Sequence, residues 1–199
     1  DAAMNAVAEK LPQLRQAVAN TGEGPAPVVY GLHHMALRCR NAEETRHFYE
    51  DVLGLPLCFV VYHDRVPSTG DLHPYCHLFF ELADGGCIAF FDLFDGKAAV
   101  PDPATPYWLV HFAFQVDSAE ALAKMKQRLV DAGVDVLGPT DHKIFDSIYF
   151  FDPNGYRLEL VYHTASREVM KQKAGDAHAQ LAKFEEMRKH YFGAAADAR

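Results

Sequence analysis

The sequence predicts an α+β fold made of two successive βαβββ modules, with extra helices before and after them. Two observations predict it. The order strand, helix, strand, strand, strand can be read twice, over residues 30–94 and again over 108–163. The punctuation also recurs: an Asn or Asp three positions ahead of a Glu before the helix, a Gly behind it, and a Gly-bearing turn before the last strand.

Residues 2–19 read as an amphipathic helix, with Val7, Leu11, Leu14 and Val18 at helical spacing, ended by Thr21-Gly22-Glu23-Gly24-Pro25. Residues 1–29 are thus an appendage to a domain expected over 30–163. The first module opens with GLHHMALRCR as a strand, and Asn41 with Glu44 makes a capping box for a helix that buries Phe48, Val52 and Leu53 and stops at Gly54. LCFVVYH, HLFFEL and CIAFFDL follow as strands, the first two parted by a polar loop over 67–74 and the last two joined by Asp84-Gly85-Gly86. After a Pro- and Gly-rich linker over 95–107, WLVHFAFQV reads as a strand. Asp117 with Glu120 caps the next helix, which runs to Gly133, DVLGP is a short strand, and a final hairpin closes the module. Residues 164–199 are charged, with Met170, Leu181, Phe184 and Met187 spaced as the stripe of a packing or dimer-forming helix, or of a lid over a site.

Composition narrows the classes. The 199 residues carry a formal net charge of −8 without a Lys/Arg cluster, which argues against nucleic acid or an anionic membrane as partner. No apolar run approaches the ~20 residues of a membrane span. The first ten residues have neither the basic start nor the apolar centre of a signal peptide. Cys39, Cys58, Cys76 and Cys87 form no CxxC pair and read as small apolar fillers in strands, so a reduced, cytoplasmic compartment is expected.

Chemistry concentrates in the last hairpin. Ile144 to Phe151 is β-branched and aromatic, Asp152-Pro153-Asn154-Gly155 is a turn, and Leu158-Glu159-Leu160 places a carboxylate where a strand should face a core. A metal cation would offset its burial; a Glu on a solvated strand face fits the spacing equally well. Period-two alternation puts His34 and Ala36 on one side of the first strand and Met35, Leu37 and Cys39 on the other. In the second module it separates His111, Ala113 and Gln115 from the bulky Phe112, Phe114 and Val116. His34 and His111 occupy equivalent places in the repeat, each six or seven residues before a helix cap; His33 falls on the helix side as a structural His. Tyr149 can be a core aromatic and His142 a loop residue, or both can serve a site.

Thr140-Asp141-His142, Ile148-Tyr149, Asp152-Pro153-Asn154-Gly155 and Glu159 together resemble the signature of extradiol ring-cleaving dioxygenases. The half from Asp152 to Glu159 is shared with the wider vicinal-oxygen-chelate superfamily, which includes glyoxalase I and fosfomycin-resistance proteins. The resemblance covers roughly residues 31–163. It implies that the two modules curl a mixed sheet around a metal held by His34, His111 and Glu159. Ala89 stands where glyoxalase I would carry a fourth ligand, and Asp92 reaches that place only in another strand register. Two His and one carboxylate leave open positions, the arrangement of non-heme Fe(II) oxygenases, although fosfomycin-resistance enzymes use a similar set with Mn(II).

The resemblance further implies an Fe(II)-dependent extradiol-type dioxygenase acting on a catechol-like diol with O2, with His142 and Tyr149 hydrogen-bonding the bound reactants. The family's acid/base His is absent from Cys87-Ile88-Ala89, and His77 on the neighbouring strand stands in for it. The alternative is a lyase, isomerase or thiol transferase of the same fold with Mn(II), Ni(II) or Zn(II). Apolar stripes on the terminal helices lead us to expect a homodimer or higher oligomer.

Overall fold

A computed structural model describes residues 29, 31–99 and 102–192. The helix expected over 2–19 lies outside them. Val29–Thr164 form one compact unit holding eight strands. Ala165 to Phe192 belong to another, whose helix α3 spans Arg167–Phe192 and leaves Leu181, Phe184 and Met187 exposed.

The strands form two four-stranded mixed sheets of identical order. The first consists of β1 (His34–Cys39), β2 (Leu57–Arg65), β3 (Leu72–Glu81) and β4 (Cys87–Asp92), ordered β1-β4-β3-β2. The second consists of β5 (Phe112–Gln115), β6 (Leu137–Asp141), β7 (Phe145–Phe151) and β8 (Arg157–His163), ordered β5-β8-β7-β6. In each, the first strand pairs parallel with the last, which the intervening helix permits, and the other pairings are antiparallel. The predicted repeat is therefore present, and β1 and β5 are both edge strands.

Helix α1 (Ala42–Arg46) starts where expected, with the Asn41 side chain accepting from Glu44 N at 2.9 Å. The Glu44 carboxylate pairs with Arg40. The chain continues as a π-helical turn over His47–Val52 and ends at Gly54, whose φ of +81° suits Gly at a helix end. Helix α2 (Ala119–Asp131) is capped by Ser118, one residue later than predicted, because its hydroxyl accepts from Ala121 N at 3.1 Å. Two strands also differ from expectation. β3 begins at Leu72 inside the supposed loop, and β5 begins only at Phe112 because residues 107–109 turn.

The helix-side faces of both sheets bury into one core. Cys39, Leu78, Phe80, Ile88 and Phe90 of the first module join Phe114, Ile148, Phe150, Leu158 and Leu160 of the second, with Phe48, Leu122 and Leu129 from the helical segments. Tyr49, missed by the sequence pattern, is fully buried there and donates to Asp152 Oδ2 at 2.9 Å. Asp152 thereby joins the modules. It also accepts from Asn154 N and Tyr156 N, while Tyr156 OH bonds the Arg38 backbone of β1. Burial pushes the Asp152 carboxyl above its ordinary pKa, although these donors pull the other way.

Asp152→Ala removes the acceptor of four donors, Tyr49 OH, Asn154 N, Asn154 Nδ2 and Tyr156 N, so it is expected to destabilise the protein by about 3 kcal/mol. Urea unfolding followed by far-ultraviolet circular dichroism measures this, with exposed Asp135→Ala as a control expected to stay within about 0.5 kcal/mol of wild type.

Candidate functional site

Strand register gives each sheet a second face, opposite the core. In the second sheet Ala113 aligns with Glu159, and Glu159 with Tyr149, so their side chains share that face with His111, Ser147, Val161 and Arg157. His111 lies just before β5 rather than within it. Its Nε2 stands 2.9 Å from Oε2 of Glu159.

Glu159 is 3% exposed, which decides between the two readings of Leu158-Glu159-Leu160 in favour of burial. Its Oε1 has no hydrogen-bond partner, and the neighbouring Ser147 Oγ is equally unpartnered. A buried carboxylate oxygen left unpaired is costly. Beside it, Tyr149 OH lies 2.8 Å from His142 Nε2. Burial, then the adjacent Glu159 carboxylate, push the Tyr149 phenol above its ordinary pKa. The Arg157 guanidinium sits 4.2 Å over the Tyr149 ring and donates to Trp108 O. Arg157 was not singled out from the sequence, although its place two residues before Glu159 puts it on the same strand face.

The first sheet carries the remaining expected residues. His34 is exposed on the face shared by Ala36, Ala89, His77, Phe79 and Phe91. His77 lies mid-strand in β3, its ring 6.3 Å from that of His34 and stacked on Phe91 at 3.7 Å. Burial, aided by His34, pushes the His77 imidazole down to about 4. His33, expected as a satisfied structural His, is exposed, and its Nδ1 meets His34 Nδ1 at 2.8 Å. Asp92 faces the core side and accepts from Ala42 N and Phe94 N, so its carboxylate serves the backbone instead of supplying a fourth ligand.

Within one chain, His34 does not join His111 and Glu159. Among the described residues no three His, Cys, Asp or Glu side chains are gathered to hold a metal. The physical reason lies in the shared core. Each sheet turns its bulky face inward, so the two polar faces are both turned away from the core.

A family model for the glyoxalase/bleomycin resistance protein/dioxygenase superfamily matches residues 31–160. The chain belongs to this superfamily. A glyoxalase/dioxygenase from Nostoc punctiforme shares the fold at 22% identity, covering 72% of this chain and 99% of that one with a TM-score of 0.52. The fosfomycin resistance protein FosX from Listeria monocytogenes, solved with Mn(II) and sulfate, does so at 21% identity, covering 71% and 99% with a TM-score of 0.51. A probable trivalent organoarsenical cleaving enzyme from Bacillus subtilis is 36% identical over 66 residues, which are 31% of this chain and 45% of that protein. The match therefore spans less than half the length of that relative.

For this superfamily member, the donors on the second sheet fit a divalent cation. An orphaned carboxylate oxygen, a second oxygen and an imidazole nitrogen converge, and a cation would supply the charge that Oε1 lacks. If burial of Glu159 is retained for binding, removing the carboxylate should relieve its cost. Replacing the pair together, Glu159→Leu with His111→Leu, is expected to raise the stability of chelator-treated protein by about 1–2 kcal/mol while abolishing metal uptake. Paired urea titrations with and without chelator check this; a destabilised metal-free variant would contradict it.

Proposed function

We propose that the protein is an Fe(II)-dependent extradiol-type dioxygenase acting on a catechol-like aromatic diol with O2, with Mn(II), Ni(II) or Zn(II) as alternative metals. The observation carrying this reading is the second-sheet face, where the unsatisfied Glu159 carboxylate and His111 adjoin a hydrogen-bonded His142–Tyr149 pair. His111 and Glu159 would hold the ion, with His34 contributed by a second copy. Both faces that carry these ligands are open at edge strands β1 and β5; exposed Trp108, Leu109 and Val110 precede β5, and exposed Phe59 lies at the first sheet's other edge, on β2. A homodimer pressing one copy's first sheet against the other's second would complete the set and cover that apolar surface.

A metal held by His111, Glu159 and the second copy's His34 would supply Lewis acidity and leave open positions for a diol and O2. The protein does the rest. Tyr149 OH and His142 Nε2 form a two-member relay able to hold or pass a proton next to the reacting atoms. Arg157, over the Tyr149 ring, restrains the phenol and favours its ionised form. His77, Phe79 and Phe91 would offer a flat wall to an aromatic ring, with His77 standing in for the acid/base residue missing at Ala89. The likeness to the organoarsenical cleaving enzyme favours a second reading, a trivalent organoarsenical as substrate of a metal-dependent lyase at the same site.

Metal analysis of anaerobically purified protein, followed by oxygen uptake with a catechol panel and a trivalent methylarsenical, separates these readings. Iron with diol-dependent uptake is expected; metal without uptake on any diol removes the ring-cleavage reading. His34→Ala and Glu159→Ala should each lose metal and activity, and mixing the two variants should restore both if His34 acts across copies. Tyr149→Phe should keep its metal and lose about 100-fold or more in turnover.

A further inference from the structure

The four cysteines, expected as fillers, are not alike. Cys39 is buried, but Cys58 is exposed and its Sγ lies 3.9 Å from Sγ of half-buried Cys87. β2 and β4 are not neighbours, because β3 runs between them. Strands stand about 4.8 Å apart, so the two backbones are separated by about 9–10 Å. A disulfide requires Cα atoms within about 7 Å and sulfurs at about 2.05 Å, which would draw β2 and β4 together across β3. Two sulfurs on one ion need no such movement. With metal–sulfur bonds of about 2.3 Å, a 3.9 Å span corresponds to an S–metal–S angle of about 116°, between tetrahedral and trigonal.

The backbone around the pair is built to hold it. Register jumps between Leu57 and Phe59, so Cys58 sits in a bulge of β2, and bulges re-aim side chains. Its thiol reaches over β3 to donate to Phe79 O at 3.4 Å. Cys87 is fixed from the other side. Its N–H donates to His33 O at 3.0 Å, and a Cβ on the preceding Gly86 would come within 2.7 Å of Leu32 O, so this close approach requires Gly. Cys87 is also the Cα partner of His34 and alternates with Ala89 and Phe91, so its side chain is on the same face of the first sheet as His34.

We propose that Cys58 and Cys87 form a two-thiolate site for a soft d10 cation of the Cu(I) type, distinct from the His111–Glu159 site. Paired thiolates select such ions over the harder cations that carboxylate and imidazole favour. Binding breaks two S–H bonds and forms two metal–sulfur bonds. Both protons pass to water, and neither copper nor sulfur changes oxidation state. Burial, then Cys58, raise the Cys87 thiol to about 11, so its proton is still present at neutral pH and is released on capture.

Anaerobic titration of the full chain with Cu(I) against bicinchoninate, with native mass spectrometry for stoichiometry, tests this. One Cu(I) per chain is expected, with Cys58 and Cys87 both protected from iodoacetamide. Cys58→Ser, an exposed change that spares the core, should weaken uptake at least 100-fold, whereas Cys76→Ser should not. Uptake by Cys58→Ser at wild-type affinity, one Cu(I) shared between two chains, or no uptake from the chelator would each overturn the proposal.

Discussion

Period-two alternation gives every strand here two sides, and only one of them can face the single core. With Phe80, Phe90, Phe114 and Phe150 committed to that core, the opposite faces are left to chemistry. The same constraint sets the course of both edge strands. β1 and β5 are paired on one side only, and each carries or adjoins one of the two histidines proposed as ligands at its exposed end. Asp152 and Tyr49 then fix how the two modules meet, since their bond is buried between them.

Within this frame Glu159 is the costly residue. Its neighbours along the strand, Leu158 and Leu160, are anchored in the core, so the carboxylate cannot slide out of register without turning both leucines to the other face. The chain holds it buried with one oxygen unpaired. A purely structural position would do better with an apolar side chain, and that is the physical warrant for reading the face as a binding site.

Much of this was legible in the sequence, and the exceptions have causes. Strand, helix and turn order followed from alternation, caps and glycines, because those signals are local. That His111 and Glu159 share a site was expected through the family resemblance, whereas the His142–Tyr149 hydrogen bond was not anticipated, because both residues were expected to meet bound reactants instead. The position of His34 was legible only as far as its face. Which faces of two modules meet depends on their packing through Tyr49, Asp152 and Phe150, contacts separated by about a hundred residues that no periodicity encodes. Ser118 replaced Asp117 as the cap because both residue types can accept from a helix N–H, and only geometry chooses. The Cys58–Cys87 approach depends on a bulge, and a bulge leaves no pattern in a run such as LCFVV.

The separation of the two faces has a chemical consequence. Carboxylate and imidazole on the second sheet suit divalent cations of intermediate hardness, whereas the thiols lie on the first sheet at the Cα partner of His34. If a second copy brings its His34 to Glu159, it brings its thiol pair to the edge of the same chamber. The imidazole then marks a boundary between a hard and a soft environment. A soft ion held by the thiols would stand near the substrate side of the site without competing for the carboxylate. Donor hardness would then keep the two ions apart where distance alone would not.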